Sequence, residues 1–336
     1  MDSSTIEKRF LRINKQLGLL IGVWPYQKDT SKRFARMVVL SLMASCYITQ
    51  VDYSRLVVYC SVDVILKDYP YILASFGMIL KLGNYFINET KLKSLLGGIY
   101  EDWKTITSKD ECTIMTKYAE RGVYVVILYV LHLTACVLLF ICLPIFPPIL
   151  NIIKPLNESR ARLYMYPAYY FVDDGSYYYL IILHMASILV LILLVYCACD
   201  ANYIYAVQHA CGLLAITGYR FKYACQDPDV PDERNVMNLM NAMYKNVSHS
   251  IRGHRRALQY IKEIEKAHDT YLFVLVGLLT LSLSVSMLEV TEWVTSCGFF
   301  LGQLSHMFVL TVQGQFVMNA YDRLYDNMQV YVWNYI

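Results

Sequence analysis

The sequence predicts an all-α polytopic membrane protein with its N-terminus in the cytoplasm. Long apolar runs, a low and clustered charge content, and a lopsided placement of Lys and Arg carry that reading. Only 17% of the 336 residues are charged, against about 25% in soluble domains. No Asp, Glu, Lys or Arg occurs in 122–153, 175–199, 270–288 or 293–321. A hydrocarbon core ~30 Å thick takes about 20 apolar residues per helix, whereas buried helices of soluble proteins rarely stay apolar beyond about 14. Each run reaches or nearly reaches the length of a crossing.

Six spans follow in order. The first, 37–59, is apolar up to Val51 and then meets Asp52 and Arg55. At i,i+3 these two share a helical face and can neutralise each other. The second, 70–88, starts at Pro70 and contains Lys81. Lys81 lies nearer the inner end, where its long stem is expected to carry the ammonium to the interface. The third, 122–146, is ended by Pro144, Pro147 and Pro148. The fourth, fifth and sixth are 177–199, 270–289 and 295–320.

With the N-terminus inside, the inner segments hold 24 Lys and Arg and the outer segments hold 4. Cytoplasmic loops are enriched in these residues, so the count fixes the orientation and excludes a receptor layout that begins outside. The chain then divides into a cytoplasmic N-terminal segment (1–36), spans one to four (37–200), a cytoplasmic helical region (201–268), spans five and six (269–321) and a cytoplasmic stub (322–336). Within 201–268, Val236, Leu239, Met240, Met243, Tyr244, Val247 and Ile251 repeat at i, i+3, i+4, i+7, and Leu258, Ile261 and Ile264 continue the stripe. That is one apolar helical face. It belongs either to a helix on the membrane surface or to cytoplasmic extensions of spans four and five that pack together or against a neighbouring subunit.

Nothing in the sequence points to catalysis. The ten cysteines form no C-x-x-C pair, most sit in apolar runs, and no two of the seven histidines stand at i,i+4. The usual phosphate-loop, nucleophile-elbow and zinc-helix motifs are absent. No metal or cofactor is expected. Nucleic-acid binding is excluded as well, since the basic residues cluster beside the spans, where topology explains them. A receptor or channel subunit, a secondary transporter and a membrane enzyme remain. Transporters place helix breaks and ionisable groups at mid-membrane, and these spans are nearly free of both, which favours a receptor.

Five stretches narrow this further. Residues 14–27 read N-K-Q-L-G-L-L-I-G-V-W-P-Y-Q, 101–111 read E-D-W-K-T-I-T-S-K-D-E and 170–174 read Y-F-V-D-D. Residues 208–220 read Q-H-A-C-G-L-L-A-I-T-G-Y-R and 254–265 read H-R-R-A-L-Q-Y-I-K-E-I-E. Each resembles a segment of the insect odorant receptors, in the expanded group of ants, bees and wasps, and they occur in that family's order. The resemblance implies a seven-helix fold of inverted topology. It also implies an odorant-gated cation channel, assembled with a co-receptor subunit in the plasma membrane of olfactory sensory neurons. The related gustatory receptors share fold and topology but match these signatures less well. Family members carry a pore-lining seventh helix beyond span six. This sequence stops at Ile336, with no apolar run after Tyr321 able to cross. It therefore reads as a truncated form, with a short isoform as the alternative, and as written is not expected to conduct ions.

The expected partners are a small apolar odorant, the co-receptor and membrane lipid. The resemblance places the odorant pocket in the outer half of the bundle. That nominates Tyr71 and Phe76 from span two, Cys136 and Phe140 from span three, Tyr178, His184 and Met185 from span four, and Met287 and Phe299 from the later spans. Of the three Asn-x-Ser/Thr sites, Asn88, Asn157 and Asn246, only Asn157 falls in an outer loop. Asn157→Gln is therefore expected to abolish a glycosidase-sensitive mobility shift on gels of the expressed protein. A shift that persists in this variant would reverse the orientation.

Overall fold

The computed structural model describes residues 1–50, 62–154, 160–224, 236–288 and 293–335. Asn157 and the Asp52–Arg55 pair lie outside the described residues. Among the described residues ten α-helices follow one another: α1 (Ser3–Arg9), α2 (Arg12–Ile21), α3 (Asp29–Gln50), α4 (Val62–Ile87), α5 (Glu89–Thr105), α6 (Lys109–Cys142), α7 (Phe146–Ile153), α8 (Asp174–Tyr223), α9 (Val236–Leu288) and α10 (Trp293–Tyr335). No strand occurs among the described residues. This is a polytopic all-α membrane fold. Among the described residues three stretches, within 109–153, 174–223 and 240–287, are long and apolar enough by length and composition to cross a membrane. Their outer faces carry uncovered Leu128, Leu131, Leu138, Leu183, Phe273 and Leu281. A patch that size would be a liability in water, but in lipid it meets its own kind.

α8 is the axis of the bundle and packs against α2, α3, α4, α5, α6, α9 and α10. From Val195 to Leu214 all its residues except Asn202 are buried, the polar Asp200, Gln208 and His209 among them. Asp173 caps its first turn, accepting from the Ser176 N–H at 2.8 Å. α8 has 50 residues and α9 has 53. At 1.5 Å per residue each is about 75 Å long or more, over twice the hydrocarbon thickness. The two pack together, and the Asn246 amide of α9 donates to the carbonyl of Ala224, just past the end of α8, at 3.4 Å. In the apolar stripe of α9, Ile264 is buried, while Met240 and Tyr244 stay uncovered within one chain.

Two boundaries differ from the sequence expectation. α4 begins at Val62 and runs straight through Pro70. Proline removes one helical bond, a loss that packed neighbours tolerate in a membrane helix. The prolines after span three do not end the helical path. A 3-10 turn, Leu143–Ile145, leads directly into α7, whose first turn holds Pro147 and Pro148, where their missing N–H groups would be unpaired anyway.

The N-terminal helices fold onto one end of the bundle. Gly22 ends α2 at φ 73°, a left-handed turn that glycine adopts without strain. A Cβ there would meet the Lys32 carbonyl at 2.9 Å. The turn buries Trp24. Nearby, Asp102 of α5 takes a forked pair of bonds from Arg256 of α9, at 2.7 and 2.9 Å. His209 of α8 lies 3.0 Å from the same carboxylate. Burial alone would raise this carboxyl, but His209 and Arg256 outweigh it and hold Asp102 below the usual range. A depressed pKa gives stability that is complete above the unfolded value of about 3.9 and is lost as pH falls through the folded one. Asp102→Ala is expected to cost roughly 3 kcal/mol at pH 7, read as a lower thermal midpoint in detergent, and the gap to wild type should close only below about pH 4.

Candidate functional site

Asp200 sits on α8 just past the apolar run of span four and is fully buried. Its carboxylate gathers three other helices. Lys81 of α4 forms an ion pair with it. The Tyr129 hydroxyl of α6 donates to Oδ2 at 2.5 Å. His306 Nε2 of α10 lies 3.1 Å from Oδ2. The Lys81 ammonium also stands 4.9 Å from the centre of the Tyr196 ring. Lys81 therefore does not reach for the interface as the sequence reading expected: it is fully buried and paired. The reason is α8 itself, which continues as helix past Cys199 and keeps Asp200 inside the bundle.

Tyr196 and His306 also form the floor of a cavity of about 140 Å³. Its walls are aromatic and aliphatic. Phe299 of α10 lies 4.9 Å from Tyr71 of α4 and 6.3 Å, edge-on, from Phe140 of α6, between ring centres. Ile192 of α8 and Leu275 and Leu279 of α9 close the sides. Tyr166, from the segment between α7 and α8, lies tilted against Tyr71 with ring centres 6.2 Å apart and also lines the space. That segment is held down where the Tyr169 N–H donates to the Thr49 carbonyl of α3 at 2.8 Å. Few polar groups interrupt the wall. Ser75 donates to Gln50 Oε1 at 2.7 Å, Tyr196 donates to the Ala74 carbonyl at 3.1 Å, and Gln303 Nε2 donates to Ser282 Oγ at 2.5 Å. Apolar walls with a few placed polar groups suit reversible binding of a small apolar molecule.

Of the residues nominated from sequence, Tyr71, Cys136, Phe140 and Phe299 line this cavity. Met185 is buried beside it, in a cluster with Cys46, Met165 and Ile188. Tyr178 donates to the Leu163 carbonyl at 3.1 Å and packs on Tyr164, so it secures the segment before α8. His184 bridges Ser45 at 2.9 Å and Tyr170 at 2.7 Å. Phe76 and Met287 are exposed. Phe76 lies five residues past Tyr71 and Met287 five past Ser282, an offset of about 140° around a helix. Sequence reasoning missed Gln303 and His306. Both share the spacing 299, 302, 303, 306, one helical face on which the polar residues of span six fall together.

A helical membrane bundle with an apolar cavity that meets a buried charged cluster at His306 defines a receptor-like class of protein. A profile of the 7tm odorant receptor family matches residues 61–328, and the chain belongs to that family, the insect odorant receptors. Its fold is similar to that of the insect olfactory receptor OR5 from Machilis hrabei, with a TM-score of 0.67 and 14% identity over 97% of this chain and 89% of that one. The same receptor in complex with eugenol gives a TM-score of 0.65 and 13% identity over the same shares. A search among curated proteins finds no match by sequence.

Lys81→Met and Asp200→Asn each leave a buried group without its partner. Each is expected to cost about 3 kcal/mol, and the double variant less than the sum. Thermal midpoints of the four proteins in detergent measure the coupling.

Proposed function

We propose that this odorant receptor binds a small, mostly apolar odorant in the cavity and, with a co-receptor subunit, forms a ligand-gated cation channel. Its place is the plasma membrane of olfactory sensory neurons, and its work is binding and gating rather than catalysis. The observation that carries the proposal is the aromatic cavity shared by α4, α6, α8, α9 and α10, with Tyr196 and His306 joining it to the Asp200 cluster. Support also comes from the structural relative whose complex contains eugenol. The uncovered Met240 and Tyr244 on α9 fit a neighbouring subunit better than water.

An odorant in the cavity touches all five helices and lies against His306, whose Nε2 stands 3.1 Å from the Asp200 carboxylate. It shifts the closed-to-open equilibrium only as far as it binds the open arrangement better. Repacking around the odorant moves α10 relative to α4 and α8 through that shared contact.

The buried Lys81, Asp200 and His306 also favour a second reading, a secondary transporter, since ionisable groups within a membrane often mark ion relays. Concentrative uptake of a labelled solute without a partner subunit is the signature of that class.

In the receptor expressed with its co-receptor, Phe140→Ala is expected to raise the half-maximal odorant concentration about tenfold or more. Phe76→Ala, on the exposed face, should leave it unchanged. Equal responses from the two variants remove the cavity from consideration.

A further inference from the structure

We propose that the cavity selects compact odorants of about one-ring bulk that carry a hydroxyl group, and that this hydroxyl donates a hydrogen bond to Gln303 Oε1. The proposal rests on reading the cavity as the odorant site and goes further by naming a ligand class and the atom that reads it.

Gln303 is buried at 8% exposure and lines the cavity. Its amide nitrogen is engaged by Ser282 Oγ at 2.5 Å, across the contact between α10 and α9. Its amide oxygen has no hydrogen-bond partner among the described residues. That bond fixes the amide plane, so the oxygen is held in place rather than free to turn away. Two other polar groups on the wall are occupied: Tyr196 donates to Ala74 and Gln50 Oε1 accepts from Ser75. His306 Nε2 stands 3.1 Å from Asp200 and the Tyr166 hydroxyl lies nearby, both without a hydrogen-bond partner among the described residues, but a hydroxyl and an imidazole can each donate as well as accept, whereas Gln303 Oε1 can only accept. An acceptor buried without a donor is unfavourable. A ligand hydroxyl placed there satisfies it. A hydrocarbon leaves it stranded, and an aldehyde or ketone brings a second acceptor against it. Sites built around a buried hydrogen-bonding group reject the analogue that lacks the matching group far more strongly than apolar pockets reject a changed methylene.

Size sets the other half of the specificity. A cavity of about 140 Å³ is close to the ~150 Å³ apolar space that holds benzene in an engineered protein. Phe140, Phe299 and Tyr71 offer ring faces and edges to the apolar part of such a molecule.

The test uses benzyl alcohol, benzaldehyde and toluene, which share one carbon skeleton and differ at a single group. Each is titrated by ligand-observed NMR against the receptor, purified with its co-receptor in lipid nanodiscs. The Gly302→Leu receptor supplies the lipid-partition background. Its new Cβ would meet only Cys136, at 3.8 Å, and its side chain fills the cavity. Benzyl alcohol is expected to bind roughly ten- to a hundredfold more tightly than toluene or benzaldehyde. Gln303→Met, close to glutamine in length, is expected to erase that preference while leaving toluene affinity within about twofold. Its Ser282 hydroxyl is then free to bond the carbonyl one turn earlier. Three outcomes overturn the proposal. Toluene or benzaldehyde matching benzyl alcohol on the wild type removes the hydroxyl preference, and Gln303→Met weakening all three alike removes Gln303 as its source. In both cases the cavity stands as the odorant site so long as Gly302→Leu abolishes binding. Wild type and Gly302→Leu giving the same signal for all three ligands removes the cavity, and the proposal with it.

Discussion

A carboxylate in the middle of an apolar bundle has to be answered from every side, and in this chain the answer decides where four helices stand. Asp200 meets Lys81, Tyr129 and His306 from α4, α6 and α10. A buried carboxylate stripped of its cation is strongly destabilising, so withdrawing α4 leaves a penalty that apolar contact does not offset. Apolar packing between helices in lipid is nearly indifferent to rotation, because lipid tails are as apolar as leucine. The directional contacts to Asp200 select one rotation for each of the three. That rotation turns Tyr71, Phe140 and Phe299 inward, so the cavity is set by the charges beneath it.

The outer shell of this architecture was plain in the sequence. Uncharged runs gave the places of the long helices, and the stripe through Ile261 and Ile264 marked a packed face of α9. Residues at the ends of runs were harder to place. Asp200 follows Cys199 directly, and a reading by charge puts it at a boundary, whereas the helix carries on and buries it. Lys81 then looked like a cation seeking the surface, because its partner is 119 residues away. Long-range pairing of this kind leaves no periodic trace. Pro70 shows the same limit from the other direction: its local rule starts or breaks a helix, and packing overrides it.

The cavity was legible in part, for a geometric reason. Aromatic residues near the outer ends of spans are easy to nominate, and Tyr71, Cys136, Phe140 and Phe299 do line it. Which aromatic turns inward depends on helix rotation, and an error of five residues swings a side chain to the other face, as with Phe76. His184 and Tyr178 were nominated for the pocket, and in the structure both hold the segment that ends in α8. The polar groups that do face the cavity, Gln303 and Ser282, sit in the most apolar stretches, where attention goes to length rather than to exceptions.

The division of the cavity wall among five long helices has an evolutionary corollary. Each helix donates only a few lining side chains, while its remaining surface handles folding, charge pairing or lipid. Tuning can then proceed one substitution at a time, without disturbing the frame around Asp200. A gene with this layout is free to drift in the wall of its cavity while its product still folds around the same buried charges.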